Sequence, residues 1–322
     1  MRFLRNINPV WPFLLAPLVF FACLSFGDNI RNPLALFNGD IILSLRARCL
    51  LTAFTVGGAL AVSGTGYQAV LRNPLAEPYI LGISGGASLG AALAIASGLA
   101  ELNHGYLLLL SFGGALVVLT AVLIIARGAG AEYSNNIMLS GVIAGTVCSS
   151  LLMFIISTLN SHKLSSVTWW MLGSLQPGDN TLLAIVIAIL VLSTGALFLL
   201  GRDADIISFG EETAYCMGIS PLKVIILILG ISSFLTAAAV SISGIIGFVG
   251  LVVPHVLRII SGCGHRRLFP MALACGGIFL MVCDTFSRSV MSPQIIPVGV
   301  ITAFIGGPFF LWLLNRKRKA AL

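Results

Sequence analysis

The sequence predicts an all-α membrane protein, a polytopic bundle of about ten transmembrane helices. Three observations predict it. Only 18 Lys or Arg and 11 Asp or Glu occur in 322 residues, 9% of the chain, where a soluble protein carries about 25%. Residues of the AVILMFWYC set make up 58%. The charges are also segregated, leaving long stretches almost free of them at 6–30, 49–71, 78–100, 102–126, 133–162, 180–201, 224–257, 268–283 and 289–315. So few charges cannot cover a soluble globule, which excludes a soluble enzyme, a disordered tail and a nucleic-acid binder. The β-barrel alternation is missing, so helices must satisfy the backbone in lipid.

A helix crossing a hydrocarbon core of ~30 Å needs ~20 apolar residues. The first stretch follows Arg2 and Arg5 and resembles a cleavable signal peptide, with Ala22-Cys23 faintly like a lipoprotein site. Phe20 stands where Leu is usual and the remainder is equally apolar, so an uncleaved first span is expected. The next five stretches fit one helix each. The run 224–257 is too long for one span and tight for two, and its middle, Ser241-Ile242-Ser243-Gly244-Ile245-Ile246-Gly247, can break a helix. One full span followed by a short one is expected there. With the last two stretches the total is ten.

Orientation follows from the basic residues. Arg2, Arg5, Arg72, Arg127, Arg202, Lys223, Arg258, Arg266, Arg267 and Arg316-Lys317-Arg318-Lys319 fall on one side, 13 of the 18, and Arg31, Arg46, Arg48, Lys163 and Arg288 on the other. The positive-inside rule makes the first side cytoplasmic, with both termini.

The seven cysteines form no Cys-x-x-Cys pair, and Cys263-Gly264-His265 offers too few ligands for a structural zinc. No metal site is expected. None of the four lysines follows a glycine, so no P-loop is encoded. Asp284 and His255 are isolated at opposite faces and make no proton relay; His255 reads as a structural polar contact. Transport driven by a separate subunit fits better, and a self-sufficient carrier or channel is the alternative.

Two cytoplasmic loops could receive that subunit. The segment 202–221 holds four acids, Asp203, Asp205, Glu211 and Glu212, in a charge-poor chain. Phe209, Thr213, Cys216 and Met217 could line one face of a short helix that Gly218 ends. The other loop, Arg72-Asn73-Pro74-Leu75-Ala76-Glu77-Pro78, is a compact turn set by two prolines.

The stretch 57–87, with Gly64-Thr65-Gly66-Tyr67-Gln68, Arg72-Asn73-Pro74-Leu75-Ala76-Glu77-Pro78 and Gly82-Ile83-Ser84-Gly85-Gly86-Ala87, closely resembles the signature of the FecCD family. These are permeases of type II ABC importers for iron–siderophore, haem and cobalamin. Blocks 247–258, containing Val252-Val253-Pro254-His255, and 297–310, containing Ile305-Gly306-Gly307-Pro308, resemble the same family in the same order.

The resemblance implies a homodimer with the path along its interface, two ATPase subunits below and a periplasmic or lipid-anchored binding protein above. No cofactor is implied in this chain, ATP and magnesium belonging to the partner. The ATPase-coupling residues would be Phe209, Gly210, Glu211, Glu212, Thr213, Ala214, Met217 and Gly218. Arg48 and Arg288 match the family's outer arginines, which pair with binding-protein glutamates. Arg46 is less well matched, because Arg46-Ala47-Arg48 lacks the family's proline. Arginine forks suit carboxylates, and rim charges steer encounter.

Gly64, Gly66, Gly85 and Gly86 sit in or beside consecutive spans, where small residues let helices approach or widen a path. Asp284 and Arg288 suit an i,i+4 pair, and Trp169 and Trp170 near Lys163 an interfacial helix. Ala59–Ser63 echoes in Ala237–Ser241, a weak sign of inverted five-helix halves, about 1–160 and 180–322, in one permease domain spanning 1–322. The expected function is the permease of an importer for a metal chelate, an iron(III)–siderophore before haem or cobalamin, in the inner membrane and working by alternating access.

Overall fold

The computed structural model describes residues 10–27, 32, 33, 36, 39–127, 133–176, 178–262 and 264–320. Arg2, Arg5, Arg31 and Cys263, used in the sequence reading, lie outside them. Fourteen helices and no strand occur among the described residues: α1 (Trp11–Ser25), α2 (Ile41–Val70), α3 (Ile83–Ala96), α4 (Leu99–Leu102), α5 (His104–Arg127), α6 (Tyr133–Thr158), α7 (Ser161–Met171), α8 (Asn180–Leu199), α9 (Gly201–Ser208), α10 (Glu211–Cys216), α11 (Pro221–Ser243), α12 (Val249–Ser261), α13 (His265–Ser289) and α14 (Val298–Ala320).

Six helices are long and apolar enough to cross a membrane, and four shorter apolar ones accompany them, α1, α3, α12 and the first part of α14. Together they are the ten helices expected. Local chemistry sets their starts. The Asp40 carboxylate accepts from the N–H groups of Ile42 and Leu43 at 2.9 and 3.2 Å, and Asp179 accepts from Thr181 at 2.8 Å. Pro221 opens α11, where its missing N–H costs nothing.

The run 224–257 breaks where its glycines stand. Helix α11 ends at Ser243, Gly244 turns with φ 68°, and α12 begins at Val249 after Phe248 at φ 68°. Helix α2 is the centre of the bundle, packed by α13, α11, α12 and α8, while α3 packs against α5 and α6. The inner half of α2 is buried on every side. Ser63 Oγ donates to the Ser232 carbonyl at 2.9 Å and Tyr67 Oη pairs with Ser233 Oγ, fastening α2 to α11. In lipid such contacts replace the hydrophobic drive that water would supply.

Candidate functional site

The segment 202–221 forms two helices instead of the single one expected. Gly210, at φ 124°, turns the chain between α9 and α10, so Phe209 ends α9 and does not share the α10 face. Gly218, at φ 78°, ends α10 as foreseen, with its N–H on the Tyr215 carbonyl at 3.0 Å. Ala214 is buried as the pin of the hairpin, while Phe209, Tyr215 and Met217 are 79%, 76% and 60% exposed. Glu212, Thr213 and Cys216 are exposed beside them. Three large apolar groups are thus exposed on this hairpin, which water alone does not favour.

Two polar joints hold the hairpin. Arg72 Nη2 lies 3.5 Å from Glu211 Oε1. On the other side, Asp205 Oδ1 accepts from His265 Nδ1 at 2.6 Å and from the His265 backbone N–H at 2.9 Å. Arg258 Nη2 donates to His265 Nε2 at 3.1 Å, which leaves the ring proton on Nδ1. Burial by itself raises the Asp205 carboxyl, but the His265 bonds and the Arg258 charge outweigh it and hold the group below its usual value. His265 thus serves a joint between α9 and the α12–α13 pair.

The opposite face carries the three arginines. Arg48 is exposed. Arg46 is buried, 5% exposed, with Nη1 on the Leu24 carbonyl at 3.5 Å, so its guanidinium ties α2 to α1. Arg288 Nη2 meets Asp284 Oδ2 at 2.7 Å across one helical turn, the pair expected, and both side chains are largely buried. They border a cavity of about 420 Å³ with Trp169 and Gln176. Lys163, at the head of α7, closes α3 by donating to the Ala96 carbonyl at 2.8 Å.

Between the two faces lies the break at 244–248. Glu77 Oε1 accepts from the Phe248 N–H. Tyr79 Oη accepts from the Ile246 N–H at 3.0 Å and donates to the Ile246 carbonyl at 2.8 Å. Gln68 Nε2 adds bonds to the Gly250 and Leu251 carbonyls, both at 3.3 Å. Burial pushes the Glu77 carboxyl up to about 6, against the pull of the Phe248 N–H. Cavities of about 580 and 440 Å³ flank the break, sharing Met171 and Ile245 in their walls.

This layout has a hairpin with exposed apolar and acidic residues at one end, a broken-helix centre with cavities, and arginines at the other end. A model of the FecCD transport family matches residues 13–316, nearly the whole of it. The chain belongs to that family. The hemin transport system permease protein HmuU of Yersinia pestis is 37% identical over 287 residues, 87% of this chain and 84% of its own length. The cobalamin import system permease protein BtuC of Halobacterium salinarum is 35% identical over 282 residues, 88% of this chain and 75% of its own. A structure of a metal-chelate type ABC transporter in an inward-facing conformation superposes with a TM-score of 0.85 at 27% identity, covering 95% of this chain and 98% of that one.

The glycines of this FecCD-family chain divide by role. A Cβ at Gly64 would run into the Gly250 carbonyl, one at Gly66 into Ser232 Oγ and one at Gly86 into the Gly114 carbonyl at 2.5 Å. Gly85 lines the cavity of about 440 Å³, where an added Cβ would come 3.0 Å from Cys148 Cβ. His255 is buried in α12 with its ring 6.4 Å from Phe309. Sequence reasoning missed the exposed Tyr215 on the hairpin, Arg72 as partner of Glu211, and the Glu77, Tyr79 and Gln68 contacts. Glu77, which shares its family block with no other charge but Arg72, was the available signal.

Proposed function

We propose that the chain is the membrane permease of an ABC importer, moving a metal chelate of the iron(III)–siderophore class across the cell inner membrane. It works by alternating access, and ATP and magnesium are bound by a separate ATPase subunit, two copies of which serve a permease homodimer. The observation that carries this reading is the α9–α10 hairpin, which offers Phe209, Tyr215 and Met217 beside Glu212 at the cytoplasmic end of a family-matched bundle. Such a face suits a helix docking into a cleft and moving with it. The hemin and cobalamin names of the relatives support a metal chelate as cargo.

Arg48, with Arg288 at the cavity rim, supports docking of a periplasmic or lipid-anchored binding protein through its carboxylates. The inward Arg46 is assigned to packing. The excess of Lys and Arg on the side of both termini supports placing that side in the cytoplasm. Proteoliposomes test the reading. Uptake is expected only when the chain is joined by its ATPase and binding protein; accumulation by the chain alone in an ion gradient would establish a secondary carrier instead. A screen of the binding protein against ferric siderophores, haem and cobalamin settles the cargo, and tight binding of cobalamin alone would overturn the siderophore assignment.

A further inference from the structure

Between α2 and α3 the chain does more than turn. Residues 72–82 reach the α11–α12 break with two side chains, across sequence separations of 171 for Glu77 with Phe248 and 167 for Tyr79 with Ile246. The break lacks helical bonds for its own backbone, and in a low dielectric each unmet N–H is costly. Glu77 and Tyr79 meet those of Phe248 and Ile246. At its other end the same segment meets the docking hairpin. Arg72, in the left-handed region at φ 49°, turns its guanidinium onto Glu211.

What lies between is stiff. Pro74 and Pro78 restrict the backbone, Asn73 Oδ1 accepts from the Leu75 N–H at 3.0 Å, and the Ala76 N–H closes on the Asn73 carbonyl at 3.0 Å. Gln68 Nε2 reaches the Ala76 carbonyl at 3.5 Å. On the far side, the Phe248 ring lies against Gly306 of α14, where an added Cβ would overlap it. Phe248 and Phe304 both line the cavity of about 580 Å³.

We propose that segment 72–82 is a strut between the docking hairpin and the cavity, in which Arg72, Glu77 and Tyr79 are positioning residues that move Phe248 when α10 moves. This rests on the importer reading. The contacts form one unbroken series, Glu211 to Arg72, along the strut to Glu77, and from Glu77 to Phe248. A displacement of α10 by a partner must therefore either move the break or part the Arg72–Glu211 pair.

Amide exchange tests this without knowledge of the cargo. The chain assembled with its ATPase in nanodiscs is compared nucleotide-free and trapped with ATP and vanadate, following peptides across 244–250. In the wild type, exchange there changes on trapping by roughly tenfold, the scale of one local hydrogen bond. Arg72→Glu abolishes that response in complexes that still carry the ATPase, and adding Glu211→Arg recovers it. Glu77→Ala removes the protection of this peptide in the nucleotide-free complex, and Glu77→Gln, whose amide oxygen still accepts from Phe248, restores it. A wild-type response in Arg72→Glu, unchanged protection in Glu77→Ala, or a wild-type peptide indifferent to trapping overturns the strut. Failure of any ATPase to assemble overturns the importer reading instead.

Discussion

His265 Nδ1 stands 2.6 Å from Asp205 Oδ1, a charge-assisted hydrogen bond that fastens the head of α13 to α9. Because the carboxylate is 37% exposed, water screens part of its worth. Asp205→Asn is expected to cost about 1 kcal/mol, read as a lower Tm in detergent. The carboxyl is held below its ordinary value, so its contribution is full above the unfolded value of about 4 and is lost as pH falls through the folded one. The Tm gap between wild type and variant stays constant from neutral to mildly acidic pH and closes below about pH 4.

Glu77 has the opposite sign. Its folded carboxyl titrates at about 6 because it is buried, so the folded state holds the proton more tightly than the unfolded chain. Tyr79 is the titratable neighbour. Stability is full below about pH 4.5 and falls as pH rises through 6, by on the order of 2 kcal/mol. Glu77→Gln flattens that slope and is no less stable than wild type at pH 7.5. Equal slopes in thermal unfolding across pH 4.5–7.5 would refute the assignment.

Gly64 marks where α2 and α12 touch backbone to backbone. Gly64→Ala forces the helices apart and costs about 1–3 kcal/mol. Gly113→Ala on α5, where the added Cβ meets nothing within 4 Å, does not lower the Tm, since alanine favours a helix over glycine. Comparable losses at both positions would count against the packing account.

The two neighbouring arginines separate by function. Arg48→Glu slows association of the binding protein by roughly tenfold at low salt, an effect that fades as salt rises. Arg46→Ala lowers the Tm and leaves the association rate alone, since its guanidinium serves the Leu24 carbonyl. Surface plasmon resonance on nanodiscs, with salt varied, distinguishes them.

Met217→Asp adds a charge to the hairpin that exposes Phe209 and Tyr215. Copurification of the ATPase is expected to fall at least about tenfold, because an interfacial hot spot is worth ~2 kcal/mol or more, while the isolated chain keeps its Tm. Retained copurification would move the docking site elsewhere.

The helices were legible because lipid demands long apolar runs, and the break in 224–257 because Gly244 and Gly247 stand in its middle. The acidic hairpin was legible as a location but not as two helices, since the turn depends on Gly210 adopting φ 124°. The fate of Arg46 was hidden, because which side of α2 faces α1 is decided by packing. The Glu77–Phe248 contact was hidden for a stronger reason: nothing local in the chain joins positions 171 apart.

The Arg72–Glu211 pair, 43% and 25% exposed, faces water, whereas Tyr79 bonds the backbone of Ile246, a residue 1% exposed. Mobile ions screen exposed charges over about 8 Å at physiological strength but do not enter a packed interior. The two ends of one connection therefore differ in compliance. Rising ionic strength is therefore expected to loosen the Arg72–Glu211 end while the Tyr79–Ile246 end holds.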